Sequence, residues 1–297
     1  MTDAMKKKFH LLLSLFLSCI AFTGSAEQLH FDYYERLIFF NVTINGTDSL
    51  YFLFDTGANA SAIDAVSAAK LNLHSHKADS VEGSAGSIAV DMVKVKSVAA
   101  GNAKVKNLLL TKQDLSYMLA PPGKRVEGIL GTDFMKHFAV TIDFINQKIS
   151  FTNKPKVHKA SSVPFEMDNN IPRVKATINN SFQTFLRYDS GSSLFDTDST
   201  YINVTTPNWK AILKADSSLK PYTYFSGAGI GGEMKLAVVK VKYFSLNDIP
   251  VKNSFIIVQP EQGYFARPDA VGFFGNNLLE KFKKVTIDFP RKKILLY

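Results

Sequence analysis

Tyr51-Phe52-Leu53-Phe54-Asp55-Thr56-Gly57 is an apolar run that ends in an acid, a hydroxyl and a glycine, and Phe185-Leu186-Arg187-Tyr188-Asp189-Ser190-Gly191 repeats it. A turn signal precedes each run, Thr43-Ile44-Asn45-Gly46 and then Thr177-Ile178-Asn179-Asn180. Asn and Gly tolerate positive φ, so each reads as a hairpin tip feeding a strand. Ile44 to Asp55 and Ile178 to Asp189 are both 11 positions. Alone, Asp-Ser-Gly is an ordinary turn; its recurrence at a fixed spacing points to duplication.

A second matched block follows in each half. Gly128-Ile129-Leu130-Gly131 leads through Phe138 to Thr141-Ile142-Asp143-Phe144, and Gly272-Phe273-Phe274-Gly275 leads through Phe282 to Thr286-Ile287-Asp288-Phe289. The later copy has one extra residue between its Phe and its Asp, and 86 positions separate Asp189 from Gly275 against 76 from Asp55 to Gly131. Such differences fall in loops. Two copies, each long enough for its own core, read as two lobes and not a solenoid. The polar stretch 153–162, with Pro155, predicts their boundary, giving lobes over 27–155 and 156–297. Strand periodicity dominates, as in 90–96 and 236–242, with short helices expected over 61–71, 133–137 and 277–281.

Residues 1–26 read as a secretory signal. Lys6-Lys7-Lys8 precede an apolar run from Leu11 to Phe22, then Thr23-Gly24-Ser25-Ala26, with cleavage expected after Ala26. The run is too short to span a membrane, so no transmembrane helix is expected in the mature chain. Cys19, the only cysteine, is the alternative processing point through lipid attachment, but Phe16-Leu17-Ser18 before it lacks the usual small residue. Cleavage after Ala26 leaves a periplasmic or secreted protein without disulfides, at a formal charge of +7 once Lys6–Lys8 and Asp3 are removed from +9. The short basic runs near the C-terminus lack interleaved aromatics, which argues against nucleic acid. No inhibitory segment is expected between Ala26 and the first repeat.

Two equivalent loops of a duplicated unit would meet about a pseudo-twofold axis, bringing Asp55 and Asp189 face to face. Adjacent carboxylates cannot easily both ionise, and a pair holding one proton suits acid–base activation of water against a carbonyl.

Both halves resemble units of the retropepsin-like aspartic peptidase superfamily, and the whole is similar to a single-chain, pepsin-type pseudodimer. The resemblance rests on Phe52 to Ala60 with Ile129-Leu130-Gly131, and on Tyr188 to Ser193 with Phe273-Phe274-Gly275. It implies an all-β fold of two β-barrel lobes with short helices, an endopeptidase acting on extended peptides, and no metal or organic cofactor. One proton shared by two aspartates is known from this family's dyad and is taken from it. The resemblance further implies that Thr56 with Gly57, and Ser190 with Gly191, support the two loops and brace them together. Glycine-rich flaps are sought at Gly83-Ser84-Ala85-Gly86 and Gly227-Ala228-Gly229-Ile230-Gly231-Gly232, against the plainer reading of hairpin turns.

Arg187 departs from the pattern, because an apolar residue is usual two places before the Asp, as Leu53 is. It could face the cleft and favour acidic substrate groups or lower a carboxyl's pKa, mark a half that has lost peptidase function, or simply reach solvent. His74 and His76 lack partners for a metal set. Asp143 and Asp288 read as structural, and Ser192-Ser193 lack a nucleophile elbow. The alternative function is an exported peptide- or ligand-binding protein that keeps the fold without turnover. The internal repeat makes a monomer the expected state.

Overall fold

The computed structural model describes residues 27–46, 48–155, 159–179, 181–193 and 200–297. The expected signal segment 1–26, with Cys19, lies outside them. The strands are β1 (Gln28–His30), β2 (Asp32–Tyr34), β3 (Leu37–Ile44), β4 (Asp48–Phe54), β5 (Ala62–Asp64), β6 (Ser75–Glu82), β7 (Ser87–Ala100), β8 (Ala103–Gln113), β9 (Gly128–Leu130), β10 (Ala139–Asp143) and β11 (Lys148–Thr152). They continue as β12 (Ser161–Pro164), β13 (Glu166–Asp168), β14 (Ile171–Ile178), β15 (Phe182–Tyr188), β16 (Thr200–Thr205), β17 (Pro221–Gly229), β18 (Gly232–Leu246), β19 (Ile249–Gln259), β20 (Gly272–Phe274), β21 (Lys284–Asp288) and β22 (Lys293–Leu296). Helices are α1 (Ala65–Lys70), α2 (Thr132–Met135), α3 (Thr206–Ala215) and α4 (Asn276–Leu279), with a 3₁₀ turn at Gly263–Ala266.

The duplication is complete at the level of topology. One eight-stranded sheet runs β2-β3-β4-β9-β5-β8-β7-β6 and another β13-β14-β15-β20-β16-β19-β18-β17, every strand matched by the one eleven later. A third sheet, β1-β11-β10-β21-β22-β12, reads the same from either end and joins the halves. At its centre Thr141 pairs with its own counterpart Thr286, the hydroxyls 2.8 Å apart. The architecture is therefore the all-β, two-lobed one expected.

Local chemistry explains the hairpins. Asn45 and Asn179 adopt φ of 55° and 46°, and their Oδ1 atoms accept from the amides of Lys96 and Lys242 in the neighbouring strand. Alternation along β4 then divides the interior. Phe52 and Phe54 enter the main core, which also holds Leu186 and Tyr188 of β15, whereas Leu53 points to a smaller cluster with Leu37, Phe39 and Ile129.

The expected helix over 61–71 begins only at Ala65, because Ala62–Asp64 is a strand paired with β8; Asp64 then caps α1 by accepting from the amides of Val66 and Ser67. The ten-residue α3 was not anticipated, although Thr205 caps it and Pro207 sits in its first turn. Within the expected linker 153–162, Ser161 and Ser162 are already strand, paired with Leu296 and Leu295. Among the described residues no helix is long and apolar enough to cross a membrane.

Candidate active site

Each half presents its aspartate from the end of a strand held on both sides. Strand β4 runs parallel to β9 with Leu53 opposite Ile129, and the Asp55 amide donates to the Leu130 carbonyl at 3.0 Å. Strand β15 runs parallel to β20 with Arg187 opposite Phe273, and the Asp189 amide donates to the Phe274 carbonyl at 2.9 Å. The two apolar-apolar-Gly segments thus underlie the two loops.

The hydroxyls lock the loops to each other. Thr56 Oγ1 donates to the Tyr188 carbonyl at 2.8 Å and accepts from the Ser190 amide at 3.0 Å. Ser190 Oγ donates to the Phe54 carbonyl at 2.9 Å and accepts from the Thr56 amide at 3.0 Å. Both side chains are fully buried, so these are partners that water does not replace.

Gly57 and Gly191 permit the close approach. A Cβ on Gly57 would fall on the Asp189 carboxyl, and one on Gly191 on that of Asp55, so each glycine backbone lies against the opposite acid. Each glycine amide also donates to the acid of its own loop, at 2.8 Å to Asp55 and 3.1 Å to Asp189. The carboxyls share a hydrogen bond and are half-buried.

Burial pushes both carboxyls above the ordinary range. Asp189 is pushed further, first by burial and then by the charge of Asp55. Asp55 is relieved by amide donors from Gly57, Ala58 and Gly191, which favour its charged form. Both shifts favour the protonated form, that of Asp189 more strongly.

Both glycine-rich segments are hairpin tips, and they touch. The Gly83 amide donates to the Gly86 carbonyl at 2.7 Å, closing the β6–β7 turn, and the Ala85 amide donates to the Ile230 carbonyl at 3.0 Å. Gly229, Ile230 and Gly231, and not Gly227, make the contact of the second hairpin: a Cβ on Gly231 would meet the backbone of Gly86. Gly227 lies inside β17 against Leu236, and Gly229 faces Ser84. The 3₁₀ turn of the second half supports the first hairpin, the Tyr264 amide donating to the Gly83 carbonyl at 2.9 Å and Arg267 pairing with Glu82 at 3.3 Å.

Arg187 keeps a partly exposed tip, but two of its nitrogens are tied down inside the protein. Its Nε and Nη2 donate to Asp168 at 3.0 and 2.7 Å, and its guanidinium lies 4.2 Å from the Tyr264 ring centroid. Nothing in the sequence pattern near Asp168 or Tyr264 signalled this, because both come from distant segments. Asn276 was missed for the same reason: Nδ2 donates to the carbonyls of Arg36 and Ser190, and Oδ1 accepts from Tyr188. Asp143 holds the Asn146 amide and pairs with Lys284, and buried Asp288 accepts from Arg291. His74 and His76 are exposed, and among the described residues no three His, Cys, Asp or Glu side chains gather as a metal set.

A duplicated β body with one half-buried aspartate at the end of an equivalent strand in each half defines the aspartic-peptidase class of fold. Residues 40–134, about a third of the chain, match the family described as Aspartyl protease. The matched segment runs from within β3 into α2 and contains Asp55, Thr56, Gly57 and the first hairpin tip. No curated protein matches the chain.

Proposed function

We propose that the protein is an aspartic endopeptidase that hydrolyses peptide bonds with water activated between Asp55 and Asp189, one from each lobe. The observation that carries this reading is the meeting of two half-buried carboxyls, each lying against the glycine of the opposite loop. Asp55 takes a proton from the water as it attacks the peptide carbonyl, and Asp189 gives its proton to the developing oxyanion. Collapse of the tetrahedral intermediate expels the amine, which leaves with the proton held by Asp55, while a hydroxyl of the intermediate returns its proton to Asp189 as the new carbonyl forms. An extended peptide would lie between the loops and the hairpin tips, which must part to admit it.

The test is cleavage of an unbiased peptide library by residues 27–297, read by mass spectrometry from acid to neutral pH beside Asp55→Asn and Asp189→Asn. Cleavage by the native protein and by neither variant is expected. Unchanged cleavage in either variant overturns the pair, and silence from folded native protein favours a binding protein.

We further infer export, with the mature chain a monomer starting at Glu27. N-terminal sequencing of exported material tests it; a lipid on Cys19 overturns the cleavage site.

A further inference from the structure

The two halves differ most at one pair of equivalent positions next to the aspartates. Residues i and i+2 of a strand share a face, so Leu53 and Arg187 stand on the same side of their strands as Asp55 and Asp189. Leu53 is fully buried in an apolar cluster with Leu37 and Ile129, against which Met118 packs. Arg187 is only half-buried, with 14% of its side chain exposed.

Its guanidinium is held in place beforehand. Nε and Nη2 both bond the same oxygen of Asp168, and the plane rests on Tyr264. Among the described residues Nη1 has no hydrogen-bond partner, yet it is not sealed from solvent. Nη1 and the outer hydrogen of Nη2 therefore remain as a fork matched to a carboxylate. The Tyr264 amide also bonds the tip of the first hairpin at Gly83, so the ring on which Arg187 stacks belongs to a residue that holds that tip. Its charge reaches the site: burial and Asp55 push the Asp189 carboxyl up, and Arg187 draws it back. The formal charge of +7 expected for the mature chain draws acidic peptides in the same sense.

We propose that Arg187 makes the second-lobe subsite beside the scissile bond select a carboxylate side chain, a charge that buried Leu53 does not supply at the matching position of the first lobe. This rests on the peptidase reading and names its substrate class. Asp168 orients the guanidinium, and Tyr264 forms the wall it stacks on.

The test compares peptides that differ only as Glu, Gln or Leu at each position flanking the cleaved bond. A charge-assisted hydrogen bond contributes about 1.5–3 kcal/mol, so native protein is expected to favour Glu over Gln by about 10- to 150-fold in kcat/KM at one position. Arg187→Leu should transfer that preference to Leu while still cleaving. The double variant Asp168→Asn/Arg187→Leu repeats the measurement without an orphaned carboxylate, in case the single variant folds poorly. Equal cleavage of Glu and Gln peptides by native protein, or an acidic preference surviving in the double variant, overturns the proposal. Should native protein cleave nothing, the peptidase reading fails, and binding of the same peptides by fluorescence anisotropy still decides: Glu bound tighter than Gln, lost on Arg187→Leu, supports the charged subsite, and equal binding overturns it.

Discussion

Thr56 and Ser190, 134 residues apart, each donate to the carbonyl before the other loop's aspartate and accept the other's amide. Neither loop could hold this shape alone, because each amide and carbonyl finds its partner only in the other half. The position of Asp55 relative to Asp189 is thus set by two hydroxyls that touch no substrate.

Thr56→Ala leaves the Tyr188 carbonyl and the Ser190 amide buried without partners. At about 1–3 kcal/mol for each of the two orphaned groups, a loss on the order of 2–6 kcal/mol is expected in denaturant unfolding, with peptide cleavage falling as the loops separate. Thr56→Ser keeps the hydroxyl and should stay near native. Equal stability of the Ala and Ser variants would show that the bridge is not what holds the loops.

Asn276→Ala should cost a similar amount, since it orphans the Arg36 and Ser190 carbonyls and the Tyr188 hydroxyl together. Asn276→Asp retains an acceptor for Tyr188 but loses both donors, so it is expected to rescue little. Thermal melting of both variants with turnover of one good peptide checks this; full recovery in the Asp variant would place the weight on the Tyr188 bond alone.

The pH dependence of stability follows from the raised carboxyls. A carboxyl raised in the folded state holds its proton more tightly there than in the unfolded chain. Its contribution is full below the unfolded value near 3.8 and is lost as pH rises through the folded value. Asp189→Asn removes that ionisation. Its stability relative to native protein should therefore rise from acid toward neutral pH, measured by urea unfolding across that range. A pH-independent difference would mean that Asp189 ionises normally. Native activity should decline over the same interval as the shared proton leaves.

Gly231 has φ of +101°, and a Cβ there would strike the Gly86 backbone. Gly231→Ala should part the hairpin tips, speeding hydrogen exchange at the Ala85 amide and raising KM several-fold. The core is far from this change, so the melting temperature should move little. Native protection at Ala85 in the variant would assign tip closure to Tyr264 and Arg267 instead.

Much of the fold could be read from local pattern. Asn45-Gly46 and Asn179-Asn180 announced hairpins because positive φ is a property of single residues. The repeated Asp tripeptides and the Gly128 and Gly272 blocks marked equivalent strands. The signal for α3 was also present, in Thr205 followed by Pro207, and strand periodicity around it obscured it. Within the glycine-rich run 227–232, Gly229, Ile230 and Gly231 meet the first tip and Gly227 does not, because the turn position depends on the register of β17 against β18.

The sequence by itself determined two matched β-rich halves, each ending a strand in an acid and a glycine, because periodicity, turn preference and spacing are carried by neighbouring residues. Only the tertiary structure decided that each acid lies against the glycine of the opposite loop, that Asn276 ties the Ser190 loop to Arg36, and that Asp168 and Tyr264 fix Arg187. Those properties arise from burial and from partners brought close by folding, and neither leaves a trace in local spacing.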